Sequence, residues 1–350
     1  MTTNLNILIE NYHHLIKMKK INMLLIVIFS LIIIIGMVIV SSLYLSNESS
    51  QPITGQAILK DDVKVKIGYR EHLLYLPAYV AQKNNYYAEE GLEAELINFD
   101  STNQLVEAVL SGNVDAAIGG VNAVVPLTIE GKTPGLLRIF NLGILTDDFD
   151  ALVVAKNSNI KTIQDLEGKI ISSLPGTAAK IWMDRMLDQE KLNGKITIIQ
   201  TADSQQLNAL VSGSVDAIFV LEPLATIAEE KNIGRILIKS PISKYFRTDL
   251  LFETSIMSND FINKNPTTAK KIIRAIDKAI VFINNNPDLV RTYYSEFTPV
   301  EEDSFENKLP VSRYIPSYEM DINKFQETTN LFATSGLIEE EVNVSKILIQ

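Results

Sequence analysis

Ser111-Gly112-Asn113-Val114-Asp115-Ala116-Ala117-Ile118-Gly119-Gly120-Val121-Asn122 reads as a helix end, a sharp turn, a short apolar strand and a loop of small residues. The pattern returns as Ser212-Gly213-Ser214-Val215-Asp216-Ala217-Ile218-Phe219-Val220-Leu221-Glu222-Pro223. The copies align without a gap. Gln104/Gln205, Ala108/Ala209, Ser111/Ser212, Gly112/Gly213, Val114/Val215, Asp115/Asp216 and Ala116/Ala217 are identical pairs.

Val106, Val109 and Leu110, like Leu207, Leu210 and Val211, sit at helical spacing and form an apolar stripe. A glycine after such a stripe suits the left-handed residue that ends a helix. The apolar run after each Asp is short, as in a strand buried on both faces. Two similar helix–turn–strand units imply two similar α/β lobes. In open α/β sheets ligands bind at the carboxyl ends of strands. The loops after these strands therefore predict a cleft, unless both repeats are packing units only.

At 350 residues the chain fits about two domains on a prior of roughly 150 residues each. Its 46% hydrophobic content is enough for sizeable cores. The net charge of -10 argues against nucleic acid, which calls for basic patches. There is no cysteine, hence no disulfide, thiolate metal site or cysteine nucleophile. Of three histidines, His13 and His14 lie near the amino terminus, so histidine metal or triad chemistry is poorly supplied. No cofactor and no metal are expected.

Met23 to Leu45 carries no charge and is dense in Leu, Ile and Val, long enough to cross a ~30 Å hydrocarbon core as a helix. Signal-peptide apolar regions run only about 7–15 residues, which favours retention over cleavage. Lys17, Lys19 and Lys20 keep the amino terminus in the cytoplasm and put the bulk of the chain outside. The predicted organisation is a cytoplasmic tail (1–21), a transmembrane anchor (22–45), a polar linker (46–61), a first lobe (62–150), a second lobe (151–249) and a return to the first lobe with C-terminal helices (250–350).

Val63 to Tyr69 alternates and predicts the first strand, followed by a helix from Pro77 to about Glu90 that Gly91 ends. Glu93 to Phe99 predicts the second strand, and Ser101 with Gln104 a capping box for the next helix. After the first repeat come a helix over Ala123 to Glu130 and a strand over Leu136 to Gly143. The second lobe reads as a strand at Ala151 to Ala155, a one-turn helix and strand across Ile160 to Ile171, and a helix from Thr177 to about Gln189. A strand at Ile196 to Ile199 follows, then a helix capped by Asp203 and the second repeat. After a helix beyond Pro223 comes a strand at Arg235 to Ile238. Leu250 to Ser258 returns to the first lobe. The remainder is mostly helical, with breaks near Pro266, Pro287 and Pro299 and a last helix over Asp321 to Phe332. This alternation predicts two parallel-type α/β lobes.

The chain resembles the substrate-binding proteins of ABC importers, in the group for nitrate, sulfonates, taurine and thiamine-pyrimidine precursors. The resemblance covers about Val63 to Leu337. It rests on Asn84-Asn85-Tyr86-Tyr87-Ala88-Glu89-Glu90-Gly91-Leu92, on Ser111 to Ala116, on Asp165-Leu166-Glu167-Gly168-Lys169 with Pro175-Gly176-Thr177, and on Ser212 to Ala217 with Glu222-Pro223. Where the family often has Trp before Glu-Pro, this chain has Leu221, which removes one stacking wall. The resemblance implies a periplasmic-binding-protein-like type II fold: two lobes joined by two crossings, near Asp150 and Leu251, that close on a small molecule. It also implies an ABC permease as partner, and a monomer.

The candidate ligand-binding residues lie in strand-end loops. Arg70 can pair bidentately with an acid group or be a solvated arginine. His72 can donate a hydrogen bond or be exposed, and Tyr75 can wall the cleft or pack in the core. Ser101 and Thr102 begin a helix whose backbone N–H groups favour anions, or merely cap it. Gly119, Gly120 and Asn122 follow the repeat strand; glycines there let a ligand approach the backbone or make a tight turn. Gly176, Thr177 and Ala178 combine a glycine turn with a helix start, where the resemblance also implies ligand contacts. Lys180 can reach the same ligand or stay solvated. Glu222 can receive an amine or hydroxyl, or be the acidic first turn of a helix.

Enzyme motifs are poor. Gly131-Lys132-Thr133 lacks the first glycine of a phosphate loop, Pro126 standing there, and Gly-x-Ser-x-Gly is absent. The chain reads as a binding protein without chemistry. The competing classes are a ligand-sensing receptor domain and an enzyme on the same fold, such as the pyrimidine-precursor synthases. Those synthases carry a cysteine-rich motif that this chain lacks.

Overall fold

The computed structural model describes residues 62–298 and 308–349. The tail, anchor and linker expected over 1–61 lie outside the described residues. Among the described residues no helix is long and apolar enough to cross a membrane.

The chain first runs β1 (Val63–Tyr69), α1 (Leu76–Lys83), α2 (Tyr86–Glu89), β2 (Leu92–Asn98), α3 (Thr102–Ser111), β3 (Ala116–Asn122), α4 (Val124–Lys132) and β4 (Leu137–Leu145). It continues with β5 (Asp150–Ala155), β6 (Ile170–Ser173), α5 (Thr177–Gln189), β7 (Thr197–Gln200), α6 (Asp203–Val211), β8 (Ala217–Leu221), α7 (Leu224–Glu230), β9 (Gly234–Lys239) and α8 (Pro241–Tyr245). It then returns through β10 (Leu250–Ser258), α9 (Asn259–Lys264), α10 (Pro266–Asn285), α11 (Pro287–Arg291), α12 (Tyr294–Phe297), β11 (Arg313–Ile315) and α13 (Ile322–Thr334).

These strands make two sheets, ordered β11-β4-β10-β3-β1-β2 and β7-β6-β8-β5-β9. Both follow one plan: second, first and third strands parallel, then an antiparallel crossing strand, then the fourth. The sheets are therefore mixed: the three parallel strands of each fit the parallel-type pattern, and the antiparallel crossing strand is the addition. The crossing strand enters each sheet from the other one and so runs against its neighbours. The chain leaves the first sheet after Leu145 and reaches the second at Asp150; it leaves α8 after Tyr245 and re-enters the first sheet at Leu250.

The repeated Asp has the same task in both sheets. Lys66 N–H donates to Asp115 Oδ2 at 2.8 Å, while Asp115 N–H donates to the Lys66 carbonyl at 2.8 Å. Ile170 N–H donates to Asp216 Oδ2 at 2.9 Å, while Asp216 N–H donates to the Ile170 carbonyl at 2.8 Å. Each carboxylate thus staples the entry of the third strand to the first. Gly112 and Gly213 supply the left-handed turn before it, at φ 74° and 70°.

The predicted helix over Pro77 to Glu90 is two helices. Asn85 takes a left-handed φ of 59° between α1 and α2, which a short polar side chain tolerates. Asp203 does not cap its helix: Ala202 is the N-cap, without a side-chain bond, and Asp203 is the first helical residue. Ser101 does cap α3, accepting from Gln104 N–H at 3.3 Å. The prolines at 266 and 287 begin α10 and α11 rather than only breaking the pattern, as fits a residue lacking an N–H. α10 lays Ile272, Ile276, Ile280 and Ile283 on the first sheet's core, each fully buried.

Replacing Asp115 or Asp216 by alanine leaves a backbone N–H of the neighbouring strand unpaired. Each change is expected to lower unfolding free energy by about 1–3 kcal/mol in denaturant titrations. Ser111→Ala, which loses only a local bond to the Ala108 carbonyl, is expected to stay within about 0.5 kcal/mol.

Candidate functional site

The two sheets meet at the carboxyl ends of their parallel strands. From the first sheet come the β1–α1 loop and the start of β10. From the second come α5 and the start of α6. Trp182 on α5 packs against Phe252 on β10, with ring centroids 5.0 Å apart, and Phe252 meets Phe332 of α13 edge-on at 6.3 Å. Asp203 on α6 feels the charge of the Arg70 guanidinium from the other sheet. Burial nonetheless holds the Asp203 carboxyl above its usual range.

The glycines of the first repeat build this junction. Gly119 has φ 86°, and its N–H donates to Ser255 Oγ on β10 at 2.8 Å. A Cβ there would lie 2.9 Å from Tyr75 Cα, and one at Gly120 would lie 2.5 Å from Leu74 Cβ. Gly120 is buried. These residues let β3 pack flush under Leu74 and Tyr75; they do not bare backbone to a ligand, contrary to the expectation for Gly120.

That packing fixes the loop carrying Arg70, His72 and Tyr75. His72 caps the 3-10 turn Leu73–Tyr75, its Nδ1 accepting from Leu74 N–H at 3.4 Å. An accepting Nδ1 puts the proton on Nε2, and burial with the nearby Arg70 charge pushes the imidazole down to about 3, so it is neutral. Tyr75 is 1% exposed, and its hydroxyl makes no hydrogen bond although Arg70 and Thr102 flank it. Arg70 Nε and Trp182 Nε1 are likewise buried and without partners. Three donors, from both sheets, are thus left unpaired at one junction.

Other predicted residues are engaged elsewhere. Asn122 Oδ1 accepts from Val124 N–H at 2.9 Å, tying down the start of α4. Glu222 is buried and turned into α7, accepting from Thr226 N–H and Thr226 Oγ1, both at 3.0 Å. Lying just before the N-cap Pro223, it bonds back onto the first turn of α7. Gly176 is the exposed N-cap of α5 at φ 107°, its carbonyl accepting from Gln200 Nε2 at 3.1 Å. Thr177 is the first residue of α5 and Ala178 is half-buried. Lys180 pairs with Asp184 at 2.5 Å on the exposed side. Trp182 and Asp203 were not among the expected site residues. Trp182 is the chain's only tryptophan, and Asp203 was read as a cap.

Three buried carboxyls accompany the crossings. Asp150 accepts from Ile242 N–H at 2.8 Å, and burial pushes it up to about 7. Glu222 is pushed to about 7 by burial, with Asp148 and Glu229 adding repulsion. Glu253 on β10 accepts from Ser312 Oγ at 2.9 Å, and burial pushes it to about 8.

Gly120→Ala is expected to cost about 1–3 kcal/mol by overpacking, read by denaturant titration. A raised carboxyl makes the folded state bind more protons than the unfolded one, so stability falls as pH rises. His72, lowered, acts oppositely, but only below about pH 6.5. The melting midpoint is therefore expected to fall between about pH 6.5 and pH 8, and Glu253→Gln to flatten the upper part of that fall. A midpoint flat or rising across that window contradicts this.

Residues 74–289 match the family described as NMT1/THI5 like. YtlA of Bacillus subtilis, which carries the name of a binding protein, is 26% identical over 74% of this chain and 78% of its own. A 4-amino-5-hydroxymethyl-2-methylpyrimidine phosphate synthase of Saccharomyces cerevisiae is 23% identical over 68% of this chain and 72% of its own. The periplasmic aliphatic sulphonate binding protein SsuA of Escherichia coli superposes with a TM-score of 0.65 at 17% identity, over 82% of this chain and 92% of its own. The fold is thus that of the periplasmic binding proteins. With more than half of its length matched to the family model, the chain belongs to the NMT1/THI5-like family.

Proposed function

We propose that the chain is an extracytoplasmic solute-binding protein. It takes a small polar or anionic solute at the junction of the two sheets and hands it to the permease of an ABC importer. The observation that carries this reading is the set of unpaired buried donors: Arg70 Nε, Tyr75 Oη and Trp182 Nε1. A buried donor without a partner costs about 1–3 kcal/mol. Donors left unpaired from both sheets are completed by a ligand that both sheets contact. Such a ligand favours the closed arrangement, because it gains both sets of contacts only there.

Arg70 is the cation of the site and supplies a planar fork for a sulfonate, nitrate or carboxylate. Gly176, Thr177 and Ala178 offer the start of α5 from the other side. The likeness to YtlA and SsuA supports binding without chemistry. In this reading the protein acts as a monomer, tethered by the apolar span 22–45. The synthase relative favours a second reading, an enzyme on the same fold, which turnover of the bound compound would reveal.

The test is the melting midpoint of the full chain against taurine, alkanesulfonates, nitrate, bicarbonate and hydroxymethylpyrimidine. A solute that binds only the folded state at a hundredfold excess over its dissociation constant adds about 2.7 kcal/mol. A rise with an acidic compound, lost in Arg70→Ala, and recovery of the compound unchanged are the expected results. A rise that survives Arg70→Ala, or conversion of the compound, contradicts the reading.

A further inference from the structure

We propose that Arg185 and Gln189 are positioning residues for closure: they tie the far end of α5 to the second crossing, and so set how readily the two sheets come together on a solute. This deepens the reading of the junction as a solute site and rests on it. α5 begins at Thr177, among the candidate contacts, and ends 13 residues on at Gln189, about 20 Å away at 1.5 Å per residue. Trp182, Arg185 and Gln189 are spaced i, i+3 and i+7 and share one face of it. The end of that face grips the chain where it leaves the second sheet. Arg185 Nε donates to the Tyr245 carbonyl at 2.9 Å, and Gln189 Nε2 donates to the same carbonyl at 2.8 Å. That carbonyl closes α8, where a helix leaves its own carbonyls unpaired. The Arg185 guanidinium also lies over the Phe246 ring, 5.1 Å from its centroid, and Tyr245 Oη donates to Glu190 Oε1 at 2.6 Å.

The same face meets the chain again once it has entered the first sheet. Pairing of β10 with β4 passes from Leu251 opposite Ile144 to Glu253 opposite Gly143, so Phe252 is the extra residue of a bulge. A bulge re-aims a side chain. Here the Phe252 ring meets Trp182 on α5 and Phe332 on α13. Trp182 and Phe252 are each 6% exposed. Arg247, inside the crossing, pairs with Glu327 of the same α13 at 3.5 Å. α5 thus holds the chain at Tyr245 and again at Phe252, with only 246–251 between. The first grip lies on the second sheet's side. The second joins the sheets and is the contact that parts when they separate. With Tyr245 anchored, Phe252 is delivered to Trp182 on a short tether, at high effective concentration. Without the anchor, the same contact must also order the crossing, which opposes closure.

The first arm of the test needs no solute. Acrylamide quenching of Trp182, the chain's only tryptophan, is measured in the folded full chain for the wild type, Arg185→Ala and Gln189→Ala. Gln189 is exposed, so its variant keeps the fold even where Arg185→Ala does not. Asp188→Ala is the control: it sits at the same helix end, and its carboxylate receives Asn193 Nδ2 instead. Quenching is expected to rise in Arg185→Ala and Gln189→Ala by up to about fivefold, the factor one net hydrogen bond is worth, and to stay unchanged in the control. In the second arm, taurine or ethanesulfonate is expected to leave the same two variants about fivefold faster, read by stopped flow on Trp182. A merely structural role lowers the melting midpoint and moves neither the quenching nor the dissociation rate. That result, or an equal rise in Asp188→Ala, overturns the proposal and leaves the solute reading intact. Raised quenching in a chain that binds no compound of the panel supports the clamp and contradicts the solute reading instead.

Discussion

Everything at the junction depends on where the third strand of each sheet begins, and one carboxylate sets that. Asp115 exchanges hydrogen bonds with Lys66, and Asp216 with Ile170, in identical geometry. A strand slipped by one residue would turn its buried face outward. The staple forbids the slip. It therefore sets where Gly119 and Gly120 lie in the first sheet and where Glu222 and Pro223 lie in the second. Both outcomes follow from one turn, the left-handed glycine that precedes Asp115 and Asp216 by three residues.

From there the first sheet's site is a packing problem. β3 carries no side chain where Leu74 and Tyr75 sit, so the 3-10 turn settles directly on the strand. Ser255 on the crossing strand holds Gly119 from the other side. Arg70 is thus presented by a loop whose far end is immobilised in the core. The crossing strands β5 and β10 lie inside their sheets, not at the edges. The chain passes between the two sheets at 146–149 and 246–249. Trp182 and Phe252 close against each other where the two sheets meet.

Much of this was legible in the sequence. The repeat, its turns, β1, β10 and α5 follow from periodicity and glycine placement, because helix ends and buried strands leave strong local signals. The crossing at Leu250–Ser258 was legible, but its direction was not, since orientation within a sheet has no local signature. β11 was missed: three residues pairing with β4 carry too short a pattern. The break at Asn84–Asn85 was hidden by flanking helix-forming residues. Of the residues expected after strands, Arg70, His72, Tyr75 and Thr102 lie near one another in the structure. Trp182 was not among them, because a tryptophan on an amphipathic helix reads as core. Asp203 was hidden by its position at a helix start, where an acid has a sufficient local reason to be. Gly120 and Glu222 misled for the same cause: a residue type suited to a ligand was also suited to packing or capping.

The most direct measurement of the central claim, a solute held between the two sheets, is hydrogen exchange of the full chain with and without taurine or ethanesulfonate, whichever raises the melting midpoint. The account predicts added protection in loops of both sheets together: the Arg70 to Tyr75 turn on one side, and the starts of α5 and α6 on the other. Protection confined to one sheet, or centred on the outer groove lined by Tyr86, Phe282 and Tyr318, would contradict it.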